Sequence, residues 1–184
     1  MLKLKPKKGD FTGVRPTLSK VRQALFNILA SHMEAAIEGS VFVDLYAGTG
    51  AIGMDAMSRG AKAVYFVEAD RRLASELKNL LEGCGCRPKA QIAAMKAEDF
   101  IRKYSQKDGG ILADAVFLDP PYASGELDRT LPLLSTPGFL AGGAVVVAEH
   151  SKRVEVPETS GLLKKKKTYR YGDTFLSLYT KEEF

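Results

Sequence analysis

Short apolar runs alternate with amphipathic stretches along most of this chain. The apolar runs predict strands at 41–47, 63–68, 91–95, 115–118 and 144–148. Apolar residues spaced by three or four positions predict helices between them at 51–58, 71–82, 98–104 and 126–134. Because the strands are apolar on both faces, the pattern predicts an α/β fold in which helices cover both sides of a mostly parallel sheet.

The two ends of the chain depart from this alternation. A helix precedes the first strand, with Thr17 or Ser19 as its predicted cap. Its apolar face repeats at helical spacing and comprises Val21, Ala24, Leu25, Ile28 and Leu29. Near the other end, strand-like runs at 162–171 and 174–180 flank Gly172-Asp173, which predicts a hairpin. The sheet is therefore expected to finish with an antiparallel pair.

The length of 184 residues suits one domain, and the sequence contains no internal repeat or linker that divides it. We expect a single domain over 1–184, with a basic extension at 1–16. No apolar run approaches the roughly 20 residues that span a bilayer, and the basic start is not followed by the apolar stretch of a signal peptide. The sequence thus predicts a cytoplasmic protein without a membrane partner.

Positive charge is concentrated at two places, although the net charge is only +5. The first block comprises Lys3, Lys5, Lys7, Lys8, Arg15, Lys20 and Arg22, and the second comprises Lys164, Lys165, Lys166, Lys167 and Arg170. Such patches attract phosphate backbones, but either block alone is equally well explained as solvated surface. Together they favour a polyanionic partner.

Metal binding is not expected. The two cysteines, Cys84 and Cys86, lie in one Gly-Cys-Gly-Cys turn, where we expect them to remain two small unbridged side chains. His32 and His150 are far apart in sequence and have no companion ligands nearby, so both are interpreted as structural.

A glycine-rich loop follows the first predicted sheet strand and opens a helix, in the sequence Gly48-Thr49-Gly50-Ala51-Ile52-Gly53. Glycines at such a point permit a sharp turn and the close approach of a ligand. Glu68 ends the second strand, 20 residues after Gly48, where a carboxylate can accept hydrogen bonds from ribose hydroxyls. These features alone suit a nicotinamide dinucleotide and S-adenosylmethionine (SAM) equally.

Asp44 favours SAM. It lies four residues before Gly48, where a carboxylate can face the amino end of a methionine-like ligand. In a dinucleotide site the same charge would repel the pyrophosphate that must bind at the helix terminus.

A second motif, Asp119-Pro120-Pro121-Tyr122, follows the predicted strand at 115–118 and therefore lies at the carboxyl edge of the sheet. The Asp119 carboxylate and the Pro120 carbonyl can both accept hydrogen bonds from one amino group. Tyr122 offers a flat face for an unstacked base. The motif predicts methylation of an exocyclic amine. The lone pair of such an amine is delocalised into the ring, and acceptors that hold its protons can point the lone pair at the methyl group.

These residues resemble the class I SAM-dependent methyltransferases and, among them, the RsmD family of 16S rRNA (guanine-N2)-methyltransferases. Four stretches carry the resemblance: Arg15-Pro16-Thr17 with Val21-Arg22 and Leu25-Phe26-Asn27; Asp44 to Gly53 with Ser58-Arg59-Gly60-Ala61; Asp119 to Tyr122; and Tyr171-Gly172-Asp173-Thr174. Together they cover nearly the full length.

The resemblance implies a Rossmann-like, seven-stranded sheet with an antiparallel last strand, SAM as the methyl donor, and a guanine amine of small-subunit rRNA as the acceptor. It places a SAM site at Asp44, Ala47, Gly48, Gly50, Glu68, Ala69, Ala97 and Asp119, and the target base at Asp119, Pro120, Pro121 and Tyr122. Arg15, Thr17 and Arg22, with the lysines at 164–167, are the candidate RNA contacts. Lys96 stands where such enzymes often have an acid near the adenine, so the Ala97 backbone or Asp99 is expected to make that contact.

Three alternatives remain open from the sequence. The Asp-Pro-Pro-Tyr motif also serves methylation of adenine N6 in DNA or RNA. A noncatalytic RNA-binding module would keep the basic blocks without the chemistry, and a nicotinamide oxidoreductase would use the same glycine loop.

Overall fold

The computed structural model describes residues 16–33, 37–105, 110–121 and 125–182. Its helices are α1 (Pro16–His32), α2 (Ala51–Ser58), α3 (Arg71–Gly83), α4 (Ala97–Ser105) and α5 (Glu126–Leu133). Its strands are β1 (Val41–Asp44), β2 (Ala63–Val67), β3 (Ala90–Ala93), β4 (Ala113–Leu118), β5 (Leu140–Ser151), β6 (Thr159–Ser160), β7 (Leu163–Tyr171) and β8 (Thr174–Lys181). A short 3-10 turn, Arg87–Lys89, precedes β3.

Within these ranges, all eight strands form one sheet in the order β3-β2-β1-β4-β5-β8-β7-β6. The strands β1 to β5 are parallel, and β8 is inserted antiparallel between β5 and β7. The predicted Rossmann-like fold and its terminal hairpin are therefore confirmed. The two-residue β6, which pairs with Leu163 and Lys164 of β7, adds an eighth strand to the seven that the resemblance implied.

The strand order reverses direction between β1 and β4, because the chain moves outward to β3 before it returns to the centre of the sheet. Ligands of open α/β sheets bind at such a switch point, outside the carboxyl ends of the strands. In this chain, the residues that follow β1 and β4 are the glycine loop and the Asp-Pro-Pro motif. The topology therefore brings both predicted motifs to one crevice.

Two apolar cores lie on opposite faces of the sheet. Alternate residues of each central strand face opposite ways, so that Phe42 packs into one core and Val43 into the other. Helices α1, α2 and α3 cover the first face, and α4 and α5 cover the second. All four residues of β1 are buried, as the continuous apolar run predicted.

The start of α1 differs from the prediction. Thr17 and Ser19 lie within the described part of α1, so neither is the cap. The predicted apolar face is confirmed, with Val21, Ala24, Leu25, Ile28 and Leu29 all buried.

The expectation that the cysteines stay unbridged is wrong, because Cys84 and Cys86 form a disulfide. Gly85 adopts a φ of +69°, which turns the chain back on itself and brings the two Cα atoms to 5.4 Å. That separation lies within the usual range for a disulfide.

No helix in the described ranges is both long enough and apolar enough to span a bilayer.

Candidate active site at the carboxyl edge of the sheet

The glycine loop between β1 and α2 is held in a tight turn. Gly48 and Gly50 have φ values of +50° and +79°, in the left-handed region that favours glycine. The Gly50 N–H donates to the Ala47 carbonyl at 2.7 Å, which closes the turn. A Cβ added to Gly48 would meet no atom within 4 Å, whereas one added to Gly50 would collide with the side chain of Leu77 on α3. Gly48 is therefore the glycine beside which a ligand has room.

Asp44 lies buried at the end of β1, behind this loop. Its Oδ2 accepts a hydrogen bond from the Gly53 N–H at 3.3 Å and so fixes the start of α2. Burial raises the pKa of Asp44 to about 7, and the negative charges of Asp119 and Glu68 contribute to the rise. Its other oxygen, Oδ1, is buried without a hydrogen-bond partner among the described residues. A buried polar atom without a partner lowers the stability of the fold unless a ligand hydrogen-bonds to it or a proton neutralises its charge.

Glu68 connects the glycine loop to the next loop of the crevice. Its Oε2 accepts from the Gly48 N–H at 2.9 Å, and its Oε1 accepts from the Asp70 N–H at 2.8 Å. Asp70 in turn caps α3 by accepting from the N–H groups of Arg72 and Leu73. A carboxylate has about four acceptor positions, so Glu68 retains capacity for two ribose hydroxyls after these bonds are made.

A cavity of about 610 Å³ opens in front of the loop. Five of the predicted SAM-site residues line it, namely Gly48, Glu68, Ala69, Ala97 and Asp119. The other three, Asp44, Ala47 and Gly50, do not line the cavity and instead shape the loop from behind. The predicted SAM-site residues therefore lie close together, but five form the cavity wall and three shape the glycine loop behind it.

The far wall of this cavity comes from the start of α4. Ala97 is the first residue of α4 and lines the cavity together with Lys96. Asp99, the other residue predicted near the adenine, does not line the cavity and forms an ion pair with Arg102 at 3.6 Å. Of the two predicted adenine contacts, the structure places only Ala97 at the cavity.

Sequence reasoning missed several residues of the same cavity. Tyr46 lies there with its hydroxyl 2.8 Å from the Thr130 hydroxyl, and burial raises the pKa of Tyr46 further above its ordinary value. Glu98 and Arg129 join α4 to α5 through an ion pair of 3.4 Å. Tyr46 could have been noticed because it lies between Asp44 and Gly48, but the Glu98–Arg129 pair has no local signal in the sequence.

The Asp-Pro-Pro motif begins where β4 ends, as predicted. The Asp119 side chain is accessible in the cavity, although protein surrounds it on most sides, and this partial burial raises the pKa of Asp119 to about 6. Pro120 is buried and Pro121 is exposed. The fourth residue of the motif, Tyr122, lies outside the described residues.

A second cavity, of about 370 Å³, lies on the other side of the motif. Pro120, Pro121 and the start of α5 form one wall, and the end of β5 with the loop after it forms the other. Its lining includes four acidic residues and one arginine, and comprises Pro120, Pro121, Gly125, Glu126, Leu127, Asp128, Glu149, His150, Arg153, Val154 and Glu155. Pro121 and Glu126 line both cavities, so the two spaces are immediate neighbours.

His150 is held neutral in this second cavity. Its Nδ1 lies 3.0 Å from the Ser151 carbonyl, and its Nε2 lies 2.8 Å from the Ser177 hydroxyl. Because a carbonyl can only accept, Nδ1 carries the proton and Nε2 accepts from Ser177. Burial lowers the pKa of His150, which also favours the neutral ring. Its interpretation as structural fits these bonds, but its place beside the motif was not anticipated.

The predicted RNA-contact residues are dispersed over the surface. Arg22 forms an ion pair of 3.2 Å with Asp55 on α2. Lys164 pairs with Glu182 at 3.2 Å and Lys165 with Glu158 at 2.6 Å, whereas Lys166 and Lys167 are exposed. Arg15 lies outside the described residues, as does the side chain of Thr17.

In the part of the chain that the structure describes, no three His, Cys, Asp or Glu side chains are grouped as metal ligands.

The relatives of this chain are named as methyltransferases, which agrees with the geometry of the site. The chain is 32% identical over 170 residues to a Bacillus subtilis protein named provisionally as the rRNA methyltransferase YlbH. The matched region covers 92% of this chain and 89% of that protein. It is 33% identical over 159 residues to the ribosomal RNA small subunit methyltransferase D of Haemophilus influenzae, covering 85% and 79% of the two chains.

Solved structures agree with these relatives. A Haemophilus influenzae structure, named provisionally as a methylase, superposes with a TM-score of 0.76 at 31% identity and covers 91% of this chain and all of that one. The family model described as conserved hypothetical protein 95 matches residues 1–180. The chain therefore belongs to that family, the RsmD family of SAM-dependent methyltransferases.

Proposed function

We propose that this chain transfers a methyl group from SAM to the exocyclic N2 amine of a guanine in small-subunit rRNA. The observation that carries the proposal is the pair of neighbouring cavities at the Asp119-Pro120-Pro121 motif. One cavity is large enough for a nucleoside cofactor, and four acidic side chains in the lining of the other offer hydrogen-bond acceptors. Asp119 lines the first cavity, and Pro121 lines both.

The residues of the larger cavity fit SAM. Glu68 is placed to accept from the ribose hydroxyls, Gly48 leaves open space beside the loop, and Ala97 is the backbone position for the adenine. The buried Asp44 Oδ1, which lacks a partner among the described residues, supplies an acceptor for a cationic amino group or for a water between them. When bound, SAM supplies a methyl group made electrophilic by its sulfonium.

Asp119 and Pro120 provide the acceptors for the reacting amine. The Asp119 carboxylate and the Pro120 carbonyl accept one hydrogen bond each from the two amine protons, which turns the nitrogen lone pair away from them. The raised pKa of Asp119, about 6, still lies below neutral pH, so its carboxylate is charged there. The raised pKa also makes Asp119 a better base for the proton that the methylated nitrogen loses. Tyr122 completes this site by stacking on the extruded base.

Glu149 supports guanine as the acceptor. It is buried in the wall of the smaller cavity, at the end of β5. On its Watson–Crick edge guanine presents two adjacent donors, N1–H and the N2 amine. Glu149 can accept from N1–H while Asp119 accepts from the N2 amine. Adenine presents an acceptor at N1, which an acidic wall disfavours. The exposed guanidinium of Arg153 is a donor suited to guanine O6.

Small-subunit rRNA as the substrate rests on the relatives. The Haemophilus influenzae relative is named for the ribosomal RNA of the small subunit, and the provisional name of the Bacillus subtilis relative also specifies rRNA. The exposed Lys166 and Lys167 supply positive charge for such a partner.

The test is methyl transfer from labelled SAM to small ribosomal subunits that lack the modification, followed by nucleoside digestion and mass spectrometry. We expect N2-methylguanosine with the wild type and a slower reaction with Glu149→Gln, which loses the charge that strengthens the hydrogen bond from the guanine N1–H. The matched control is Glu155→Gln, which removes a carboxylate from the exposed rim of the same cavity. N6-methyladenosine as the product would overturn the guanine assignment, and SAM binding without transfer to any base would indicate a noncatalytic RNA-binding protein.

A further inference from the structure

A third depression lies on the side of the molecule that α1 covers. It is an open groove of about 400 Å³ between α1 and β7. Its lining comprises Lys20, Gln23, Ala24, Asn27, Ile28 and Ser31 from α1, with Tyr169 and Tyr171 from β7. It shares none of these residues with the two cavities of the candidate active site. We refer to it as the α1–β7 groove.

Two tyrosines form the strand side of the groove, and Lys167 lies beside them on the same strand. Residues at alternate positions of a strand face the same side, which places Lys167, Tyr169 and Tyr171 together. Tyr169 pairs with Leu176, a residue of the core beneath α1. Both tyrosines are half-buried, and the Lys167 Nζ lies 4.9 Å from the centre of the Tyr169 ring. The rings are thus supported from below and accessible from outside.

The helix side of the groove is polar and positively charged. Lys20, Gln23, Asn27 and Ser31 follow one another at helical spacing and are all exposed. The Gln23 amide donates to the Asn27 side-chain oxygen at 3.1 Å, which leaves further amide donors and acceptors toward the groove. The described lining of the groove contains lysine but no aspartate or glutamate. The groove is therefore complementary to an anion that carries flat, hydrogen-bonding groups.

The groove leads toward the candidate active site. Tyr171 pairs with Thr174, and Thr174 pairs with Ser151 at the carboxyl end of β5. His150, the preceding residue of β5, lines the smaller cavity. Since adjacent strands are about 5 Å apart, Tyr171 is only about 10 Å across the sheet from the end of β5. A polymer bound at the cavity can reach the groove within a few of its units.

We propose that the α1–β7 groove binds a single-stranded segment of the RNA that flanks the target nucleotide. Bases stack on Tyr169 and Tyr171, the amides of Gln23 and Asn27 contact base edges, and Lys20 and Lys167 bind phosphates. Stacking on aromatic side chains beside basic residues is how proteins bind single strands without strict sequence preference. This inference rests on the proposed function only in taking RNA as the substrate.

The test is equilibrium binding of a fluorescent single-stranded RNA 12-mer to the full chain, measured by anisotropy over a range of salt concentrations. Tyr171→Leu should weaken binding about tenfold, whereas Tyr171→Phe, which keeps the ring, should bind as the wild type does. The double variant Lys20→Gln/Lys167→Gln should lower the slope of log K against log salt by about 1.4, for two phosphate contacts on a single strand. Its matched control is Lys78→Gln/Lys89→Gln, two exposed lysines at the opposite end of the sheet.

Equal affinity and slope for the groove variants and the wild type would overturn the proposal. Thermal unfolding and SAM binding of each variant check that the fold is retained. Because the binding assay requires no methyl transfer, its outcome is separate from that of the guanine-N2 assignment.

Discussion

Asp44 and Asp119 lie at the ends of neighbouring strands and influence each other electrostatically. Burial raises the pKa of Asp44 to about 7, and the negative charge of Asp119 contributes to that rise. Asp44 supports the loop beside the cofactor cavity, and Asp119 opens the motif that receives the acceptor base. The two halves of the site are therefore coupled by charge, and a bound cation between them would relieve the repulsion.

The first prediction concerns stability and Asp44. A carboxyl group whose pKa rises from 3.8 in the unfolded chain to about 7 in the fold favours the folded state only while it is protonated. That contribution is present at low pH and is lost as the pH rises toward 7, because the unfolded chain ionises more readily. Asp44→Asn keeps an acceptor for the Gly53 N–H without the charge, so its melting temperature relative to wild type should be higher at pH 8 than at pH 5.

Thermal unfolding of the SAM-free protein at both pH values checks this prediction. Asp173→Asn, in the exposed hairpin between β7 and β8, is the matched control and should show no such difference. A shift for Asp44→Asn that is the same at pH 5 and pH 8 would mean that Asp44 ionises in the fold as it does in the unfolded chain.

The second prediction concerns the pH dependence of methyl transfer. Protonated Asp119 accepts more weakly and cannot take the proton that the methylated amine loses, and burial raises the pKa of Asp119 to about 6. The single-turnover rate of the wild type at saturating SAM should fall below about pH 6 and level off above it. Asp119→Asn should react more slowly but lose this acid limb, because its amide oxygen still accepts and does not titrate. An unchanged acid limb in Asp119→Asn would assign the titration to another group.

The third prediction concerns SAM affinity and Glu68. A carboxylate that accepts from a ligand hydroxyl contributes about 1.5–3 kcal/mol, so Glu68→Gln should weaken SAM binding by at least about tenfold. The same change leaves one of the two backbone donors, Gly48 N–H or Asp70 N–H, opposite an amide NH2 and should also lower the melting temperature. Isothermal titration calorimetry measures the affinity. Glu76→Gln on the exposed face of α3 is the control, and unchanged SAM affinity in Glu68→Gln would remove the ribose assignment.

The fourth prediction separates two glycines of the loop. A Cβ on Gly53 would overlap the ring of Phe66, so Gly53→Ala should lower the free energy of unfolding by about 1–3 kcal/mol through overpacking. A Cβ on Gly48 meets open space, so Gly48→Ala should cost only the strain of its left-handed backbone, about 1–2 kcal/mol, while obstructing the approach of SAM. Denaturant unfolding and SAM titration of both variants measure these effects. Normal SAM binding by Gly48→Ala would contradict this account.

Much of the fold could be predicted from the sequence because local signals and tertiary packing agree. Helix α2 has the predicted bounds, and the hairpin at Gly172-Asp173 forms as its turn residues indicate. Strand β5 was predicted too short, at 144–148 rather than Leu140–Ser151. Gly142 and Gly143 interrupt its apolar run, and the strand passes them through an irregularity, with Leu140 paired to Ala113 and Val145 to Ala115 of β4.

The glycine loop, Glu68 and the Asp119-Pro120-Pro121 motif could be located at the crevice from the sequence, whereas the residues that face the motif from the end of β5 could not. The glycine loop and Glu68 are close in sequence and have a fixed spacing. Glu149, His150 and Arg153 follow the motif by about 30 residues, and they reach it only because β5 lies beside β4 in the sheet. No local pattern marks them.

The lysine block shows why charge alone is an incomplete guide. Lys164 and Lys165 look identical to Lys166 and Lys167 in the sequence, but they pair with Glu182 and Glu158 in the fold. Glu182 comes from just beyond β8, so the pair exists only because β7 and β8 form a hairpin. Alternation along β7 also directs successive side chains to opposite faces, and only some of them reach the α1–β7 groove.

The most direct test of the central claim is the rate at which wild type and Asp119→Ala methylate small ribosomal subunits that lack the modification. Both proteins are used at saturating SAM in single-turnover reactions, and the product nucleoside is identified by mass spectrometry. We expect N2-methylguanosine to form with the wild type and to be reduced by at least about a hundredfold with Asp119→Ala, as when one aligned transition-state hydrogen bond is removed. Formation of N2-methylguanosine at the same rate by both proteins, or of N6-methyladenosine by the wild type, would contradict the account.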